Sequence, residues 1–214
     1  MFWSVEKLLT CLKSWHPIEN LTLKQMTIKT ASLIALSSSD RGQTLNLMSI
    51  DRMHIGESVI SFVITERLKT TRRRLKPKVV TVPVCSDEAL NPKLYVQEYL
   101  VKTAQFRRPE HNKLFLSWAT KRPVTKPTLA RWLKHALREA GIDTSVYSAH
   151  SYRGSSLSAA FAKGISLEKI VKAGDWTNVN TFKAHYLAHN YDSPVGQIIL
   201  NEYNHSSGKI FIFV

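Results

Sequence analysis

Cysteines are scarce in this sequence, and long apolar runs are missing from it. Cys11 and Cys85 are too few for a disulfide framework or a cysteine metal cluster, which favours a reducing intracellular compartment. The apolar N-terminal stretch is interrupted by one Glu and two Lys, unlike a signal peptide, and no later run is long enough to span a membrane. We therefore expect a soluble intracellular protein with no membrane partner.

Acidic residues are also few. The chain of 214 residues has 16 Asp and Glu against 30 Lys and Arg, a formal net charge of +14. Such an excess favours a polyanionic partner, because each neutralised phosphate of a nucleic acid releases condensed counterions. Ribosomal, RNA-binding and membrane-surface proteins share this property, so charge alone leaves the class of partner open.

The hydrophobic pattern predicts an α+β fold that is mostly α, with a small antiparallel sheet. Thr22 and Gln25 form a capping box that starts a helix running to about Leu36. Residues 58–65 and 79–82 are rich in β-branched residues and are predicted to pair as a hairpin around a very basic loop. Further helices are predicted over residues 2–14, 43–48, from 91 onward, 125–140, 151–163, 166–173 and 178–188.

The helix predicted over 125–140 has the clearest pattern. Its apolar residues recur at helical spacing, and Gly141 is expected to end it. They are Leu129, Trp132, Leu133, Ala136 and Leu137. The same helix carries several cations, of which Arg131 and Lys134 are candidate nucleic-acid contacts.

His150 and Arg153 lie three residues apart at the predicted start of a helix, so both side chains share one face. A guanidinium can bind two phosphate oxygens in a fork, and a helix N-terminus adds backbone N–H donors. The pair is therefore a candidate phosphate site. The alternative is an ordinary surface His and Arg at a helix start.

Trp176 and Tyr186 follow in the C-terminal third. A tyrosine hydroxyl is a good nucleophile toward phosphorus once its proton is removed, provided that cations surround the non-bridging oxygens. His150 and Arg153 would supply two such groups. Alternatively, Phe182 and Tyr186 are an i, i+4 aromatic pair that packs on a core.

The order Arg, Lys, His-x-x-Arg, Trp, Tyr resembles the catalytic set of the tyrosine recombinases, also called phage integrases. On this resemblance, Arg41 in DRGQTL matches the first arginine, and Lys69 in LKTTR matches the lysine of the family's β-hairpin. Trp176 takes a position that is His in most members and Trp in some. The phrases RGQTL, LKTTR, AHSYRGSS and GDWTNVNTF are especially similar to recombinases of DIRS- and Crypton-type mobile elements, including retrotransposons.

The resemblance also implies a domain organisation. Residues 21–192 would form the catalytic domain and 193–214 a C-terminal tail, while 1–20 would be a remnant or linker helix from a missing N-terminal DNA-clamping domain. One departure concerns the first arginine: many members have an acidic residue three positions after it, where this chain has Thr44. This change bears on how Arg41 is held rather than on the reaction.

The mechanism that the resemblance implies is DNA strand cleavage and rejoining without ATP, metal or cofactor. Tyr186 would attack a phosphate of duplex DNA to form a 3′-phosphotyrosyl link, while Arg41 and Arg153 bind the non-bridging oxygens. Lys69 would protonate the leaving 5′-oxygen and His150 would relay the proton of Tyr186. Trp176 would donate one N–H to the phosphate. The expected assembly is a homotetramer on DNA, and the expected location is the nucleus.

The basic hairpin is the main predicted DNA contact, with a solvated charged loop as the alternative. Its cations, besides Lys69, are Arg67, Arg72, Arg73, Arg74, Lys76 and Lys78. Other functions stay open at this point. A type IB topoisomerase uses a similar phosphotyrosine step as a monomer, an inactive remnant would bind DNA without cleaving it, and a basic RNA-binding protein would not need the catalytic set.

Overall fold

The computed structural model describes residues 2–66 and 77–173. Within them the chain is mostly helical, with one three-stranded antiparallel sheet in the order β1-β2-β3. The helices are α1 (Val5–Ser14), α2 (Leu23–Ser38), α3 (Gly42–Leu47), α4 (Pro92–Thr103), α5 (Lys126–Glu139), α6 (Ser151–Ala162) and α7 (Leu167–Ala173). The strands are β1 (Met53–Ile55), β2 (Val59–Ile64) and β3 (Lys78–Pro83), and three short 3-10 turns cover Ile18–Asn20, Glu88–Leu90 and Ala104–Phe106.

The central helix, α2, begins at the capping box that the sequence predicts. The Thr22 hydroxyl accepts from the Gln25 amide at 3.2 Å, and the Gln25 side chain accepts from the Thr22 amide at 3.2 Å. Two of the N–H groups that have no partner inside the helix are thereby satisfied. The helix is buried along most of its length and packs against α4, α5, α6 and β3. It is the element around which the others assemble.

The predicted amphipathic helix is α5, and its apolar face is the one expected. All five predicted core residues, from Leu129 to Leu137, are buried. Gly141 has a φ of 68°, the left-handed conformation that ends a helix at little cost for glycine. Burial of each large aliphatic side chain stabilises the fold by roughly 1.5–3 kcal/mol, so this face fixes α5 against α2.

The predicted hairpin is formed by β2 and β3, which pair Ile60 with Val82 and Phe62 with Val80. These four side chains are buried. At the other end of the register Ile64 pairs with Lys78, so Lys78 stands where β3 begins. The third strand, β1, was not predicted: its three residues, MHI, are too short to show an alternating pattern.

The N-terminal helix α1 packs into the same core as the rest of the chain. Leu8 and Leu12 are fully buried, and the Trp3 indole donates to the Ser151 hydroxyl at 2.7 Å. Segment 1–20 therefore contributes directly to the packing of α6, while its assignment as a remnant or linker helix stays a prediction. Within the described ranges, no helix combines the length and the apolar character needed to cross a membrane.

Candidate nucleic-acid site

Arg41 lies in a tight turn between α2 and α3, which we call the Arg41 turn (residues 39–41). Ser39 ends α2 in the left-handed conformation, with a φ of 52° and a ψ of 26°. Arg41 has extended backbone and is the N-cap residue of α3. The first hydrogen bond of α3 runs from the Leu45 amide to the Arg41 carbonyl at 3.2 Å. Arg41 as a residue is half-buried. The position of its backbone depends on how the turn is held.

His150 and Arg153 lie at the start of α6, as predicted. His150 is the N-cap residue and is exposed, whereas Arg153 is only 6% exposed inside the first turn. An arginine that is buried to this extent loses most of its hydration, so its charge acts on nearby anions at low effective dielectric. The start of α6 thus carries one exposed residue, His150, and one buried residue, Arg153.

Tyr152 anchors the helix between these two residues. Its hydroxyl donates to the Leu133 carbonyl at 3.0 Å and lies 3.4 Å from the Ser32 hydroxyl, which ties α6 to α5 and α2. Burial raises the pKa of Tyr152 well above its ordinary value, partly offset by the Ser32 hydrogen bond, so the phenol stays protonated. The ring also meets Trp3 edge-on, with centroids 5.2 Å apart. Tyr152 is a structural tyrosine.

A hydrogen bond links the Arg41 turn to α6. The hydroxyls of Ser39 and Ser156 lie 2.9 Å apart, and Ser156 follows Arg153 by just under one helical turn. Arg41 follows Ser39 by two residues. The fold therefore places the elements that carry Arg41, His150 and Arg153 against each other, as the phosphate-site hypothesis requires.

Lys78 lies on the other side of the Arg41 turn. Its ammonium is 2.7 Å from the Asp40 carboxylate, and the two side chains are 21% and 7% exposed. That Lys78 contacts DNA phosphate stays a prediction. Its position at the start of β3 brings it into an ion pair with the residue next to Arg41.

The outward face of α5 carries Arg131 and Lys134, both exposed, on the side opposite the buried leucines. The Arg131 guanidinium donates to the Thr128 hydroxyl at 3.2 Å. Exposed cations on one helix face are typical of phosphate contacts that position a duplex. That these two residues bind DNA stays a prediction.

Several predicted site residues lie outside the described residues. They are Lys69, Trp176 and Tyr186 of the catalytic set, together with Arg67, Arg72, Arg73, Arg74 and Lys76 of the basic hairpin. Because the nucleophile is among these residues, the catalytic assignments as a whole stay predictions. Among the residues that are described, no group of three or more His, Cys, Asp or Glu side chains could hold a metal ion.

Sequence reasoning missed the residues that hold the Arg41 turn. Asp40, Ser39 and Ser156 showed no pattern of their own, since their partners lie far away along the chain. The one available signal was the carboxylate of Asp40 directly beside a predicted phosphate-binding arginine in a chain with few acidic residues.

Comparisons with known proteins agree with this architecture. The sequence model of the phage integrase family matches residues 4–193. No curated protein matches the chain. Among solved structures, XerH site-specific recombinase in a post-cleavage complex with palindromic difH substrate matches with a TM-score of 0.69 at 16% identity, over 93% of this chain and 52% of that one.

Two other recombinases share the fold. XerA recombinase matches with a TM-score of 0.62 at 16% identity, covering 99% of this chain and 65% of that chain. The Tn1549 transposon integrase in complex with transposon right end DNA also gives 0.62, at 13% identity, covering 92% and 65%. The chain thus spans between half and two thirds of the length of these proteins. Together with the family match over most of its residues, this similarity shows that the chain belongs to the phage integrase family of tyrosine recombinases.

Proposed function

We propose that this chain is the catalytic domain of a site-specific DNA recombinase, which cleaves and rejoins DNA strands through a 3′-phosphotyrosyl intermediate. The observation that carries the proposal is the arrangement at the start of α6. A buried Arg153 and an exposed His150 share one helix end, and a hydrogen bond ties that helix to the Arg41 turn. Two guanidiniums and an imidazole on adjoining elements suit the oxygens of a phosphodiester.

In the proposed reaction the Tyr186 oxygen attacks the scissile phosphorus. The bond from phosphorus to the 5′-oxygen breaks, the 3′-phosphate becomes linked to the tyrosine, and the 5′-hydroxyl is released. Attack by a 5′-hydroxyl from another strand reverses the step, so the phosphodiester bond is conserved and no external energy source is needed. The phosphoryl group is the only group transferred.

Each predicted catalytic residue has a separate role in this scheme. Arg41 and Arg153 bind the two non-bridging oxygens, on which negative charge builds in the transition state. His150 relays the proton of Tyr186, for which its exposed position at the mouth of the helix is suitable. Lys69 protonates the leaving 5′-oxygen, and Trp176 donates its indole N–H to the phosphate.

The proposed partner is double-stranded DNA, bound as a homotetramer that holds two duplexes. The net charge of +14 supports binding to a polyanion, and XerH and the Tn1549 integrase are seen with DNA. The similarity of RGQTL, LKTTR, AHSYRGSS and GDWTNVNTF to DIRS- and Crypton-type recombinases supports an origin in a eukaryotic mobile element. Such an origin would place the protein's action in the nucleus.

The test is covalent trapping on a nicked suicide substrate, whose short released strand cannot return to rejoin the DNA. We expect the parent chain to form an adduct that survives denaturing gel electrophoresis, and Tyr186→Phe to form none while binding duplex DNA almost as well. The change removes one hydroxyl and keeps the ring, so the loss should be total. Tyr191→Phe is the matched control and should keep the adduct.

Three results would contradict the proposal. An adduct that persists in Tyr186→Phe would mean that another nucleophile acts, and DNA binding without any adduct would indicate a DNA-binding module. Relaxation of supercoiled DNA by a protein that stays monomeric on its substrate would indicate a topoisomerase of type IB.

A further inference from the structure

The Arg41 turn is held from two sides. On one side the Ser39 hydroxyl meets the Ser156 hydroxyl of α6 at 2.9 Å, and on the other the Asp40 carboxylate meets the Lys78 ammonium at 2.7 Å. The Asp40 amide also donates to the hydroxyl of Ser38, the last residue of α2, at 3.3 Å. The turn is therefore fixed between α6 and the start of β3.

The ion pair between Asp40 and Lys78 is largely removed from solvent. The side chains are 7% and 21% exposed, so the pair is screened much less by water and salt than a surface pair would be. Removal of either partner therefore takes away an interaction that holds the turn. The pair is thus able to fix the distance between the Arg41 turn and β3.

The charge of Asp40 makes the pair important for a phosphate site. A bare carboxylate next to Arg41 in the chain would repel an incoming phosphate and would compete for the guanidinium. Lys78 places a positive charge beside this carboxylate from the sheet side, which lessens both effects.

We infer that Asp40 and Lys78 are positioning residues of the recombinase, whose ion pair holds the Arg41 turn in place while the Lys78 ammonium offsets the Asp40 charge. This inference rests on the proposed function. It changes the role of Lys78 from one of several hairpin phosphate contacts to an internal partner. It also connects the start of β3, and with it the base of the basic hairpin, to Arg41.

The experiment measures adduct formation at saturating suicide substrate in single-turnover conditions, together with the salt dependence of duplex binding. Lys78→Met should slow adduct formation by about ten- to hundredfold, because small displacements of a catalytic group have effects of that order. Its salt slope should stay at the parent value. Lys78→Arg keeps the ion pair and should restore most of the rate.

Removal of both charges gives the most specific outcome. Asp40→Asn should slow the reaction on its own, but Asp40→Asn combined with Lys78→Met should be no slower than Lys78→Met alone, since the ion pair is already lost in the single variant. Lys93→Met is the matched control. The Lys93 ammonium connects α4 to the turn between β1 and β2, where it donates to the Gly56 carbonyl at 2.8 Å. This contact does not involve the Arg41 turn, so its loss should leave the rate unchanged.

Two results would overturn the inference. A salt slope that falls by about 0.9 in Lys78→Met, with the saturated rate unchanged, would show that Lys78 contacts a phosphate. Effects of Asp40→Asn and Lys78→Met that simply multiply in the double variant would show that the two residues act independently.

A second readout separates this inference from the proposed function. Hydrogen exchange of the Leu45 amide reports whether the Arg41 turn is held, since this amide donates to the Arg41 carbonyl. Exchange should become faster in Lys78→Met and return toward the parent rate in Lys78→Arg, whether or not the parent forms a Tyr186 adduct. Unchanged exchange in Lys78→Met would overturn the positioning role, while failure of the adduct assay alone would overturn only the proposed function.

Discussion

Buried basic side chains differ from those on the exposed face of α5 in their surroundings. Lys29, Lys78 and Arg153 face inward and are held by packing and by partners within the protein. Arg131 and Lys134 project from α5 into solvent. The basic residues behind the net charge of +14 thus fall into two groups: outward cations are free to meet a polyanion in solution, whereas inward cations are fixed in position by the fold.

The difference between the two regions is sharpest for arginine. Arg153→Lys keeps the charge but loses the fork that binds two oxygens, in a buried position where a lysine cannot rearrange freely. We expect adduct formation to fall by about a hundredfold or more, by analogy with the loss of one oxyanion-hole donor. The same change at the exposed position, Arg131→Lys, should leave the rate within about twofold. Equal effects of both changes in the adduct assay would remove the distinction between the two regions.

Inward cations should also make stability depend on pH. Lys29 is fully buried, and its ammonium donates to the Trp15 carbonyl and to the Tyr95 hydroxyl, at 2.5 Å and 2.7 Å. Burial lowers the pKa of Lys29 from 10.5 to about 8. Between these values the unfolded chain binds the proton and the folded chain releases it, so the free energy of unfolding should rise with pH.

The rise should be on the order of 2 kcal/mol between pH 8 and pH 10, and urea titrations across this range would measure it. Above pH 10 it should reverse, because burial raises the pKa of Tyr95 to about 12 and the folded chain then binds the extra proton. Lys29→Met should abolish the rise. Lys24→Met, at an exposed position of the same helix, should preserve it, and a pH profile unaffected by Lys29→Met would contradict the explanation.

Outward cations should affect binding and little else. Arg131→Ala combined with Lys134→Ala should lower the slope of log K against log salt by up to about 1.8, since each phosphate contact contributes about 0.9. The free energy of unfolding should change by less than about 0.5 kcal/mol for each exposed residue. Filter binding to duplex DNA at several salt concentrations would measure the slope. An unchanged slope would show that this face of α5 does not meet DNA.

The sequence allowed most of the fold to be predicted because its signals are local. The capping box of Thr22 and Gln25 gave the start of α2, Gly141 gave the end of α5, and the apolar face of α5 was assigned correctly. These features depend on residues within one or two helical turns of each other. By contrast, β1 was missed, and α1 begins at Val5 rather than at residue 2.

The candidate site was predictable only in part. The shared helix end of His150 and Arg153 follows from their spacing and was found where expected. The partner of Lys78 could not be predicted, because the pairing with Asp40 depends on how the sheet packs beside the end of α2. The number of basic residues in a sequence does not show which of them are paired inside the protein. Tertiary structure decides which cations face inward.

We propose above all that Tyr186 bonds covalently to DNA at a phosphate held by Arg41 and Arg153. The most direct test is tandem mass spectrometry of the tryptic peptide that stays attached to the suicide substrate after nuclease digestion. We predict a single modified peptide, with the phosphate on the Tyr186 oxygen and linked to the 3′ end of the cleaved strand. Attachment at any other residue, or a link to a 5′ end, would contradict it.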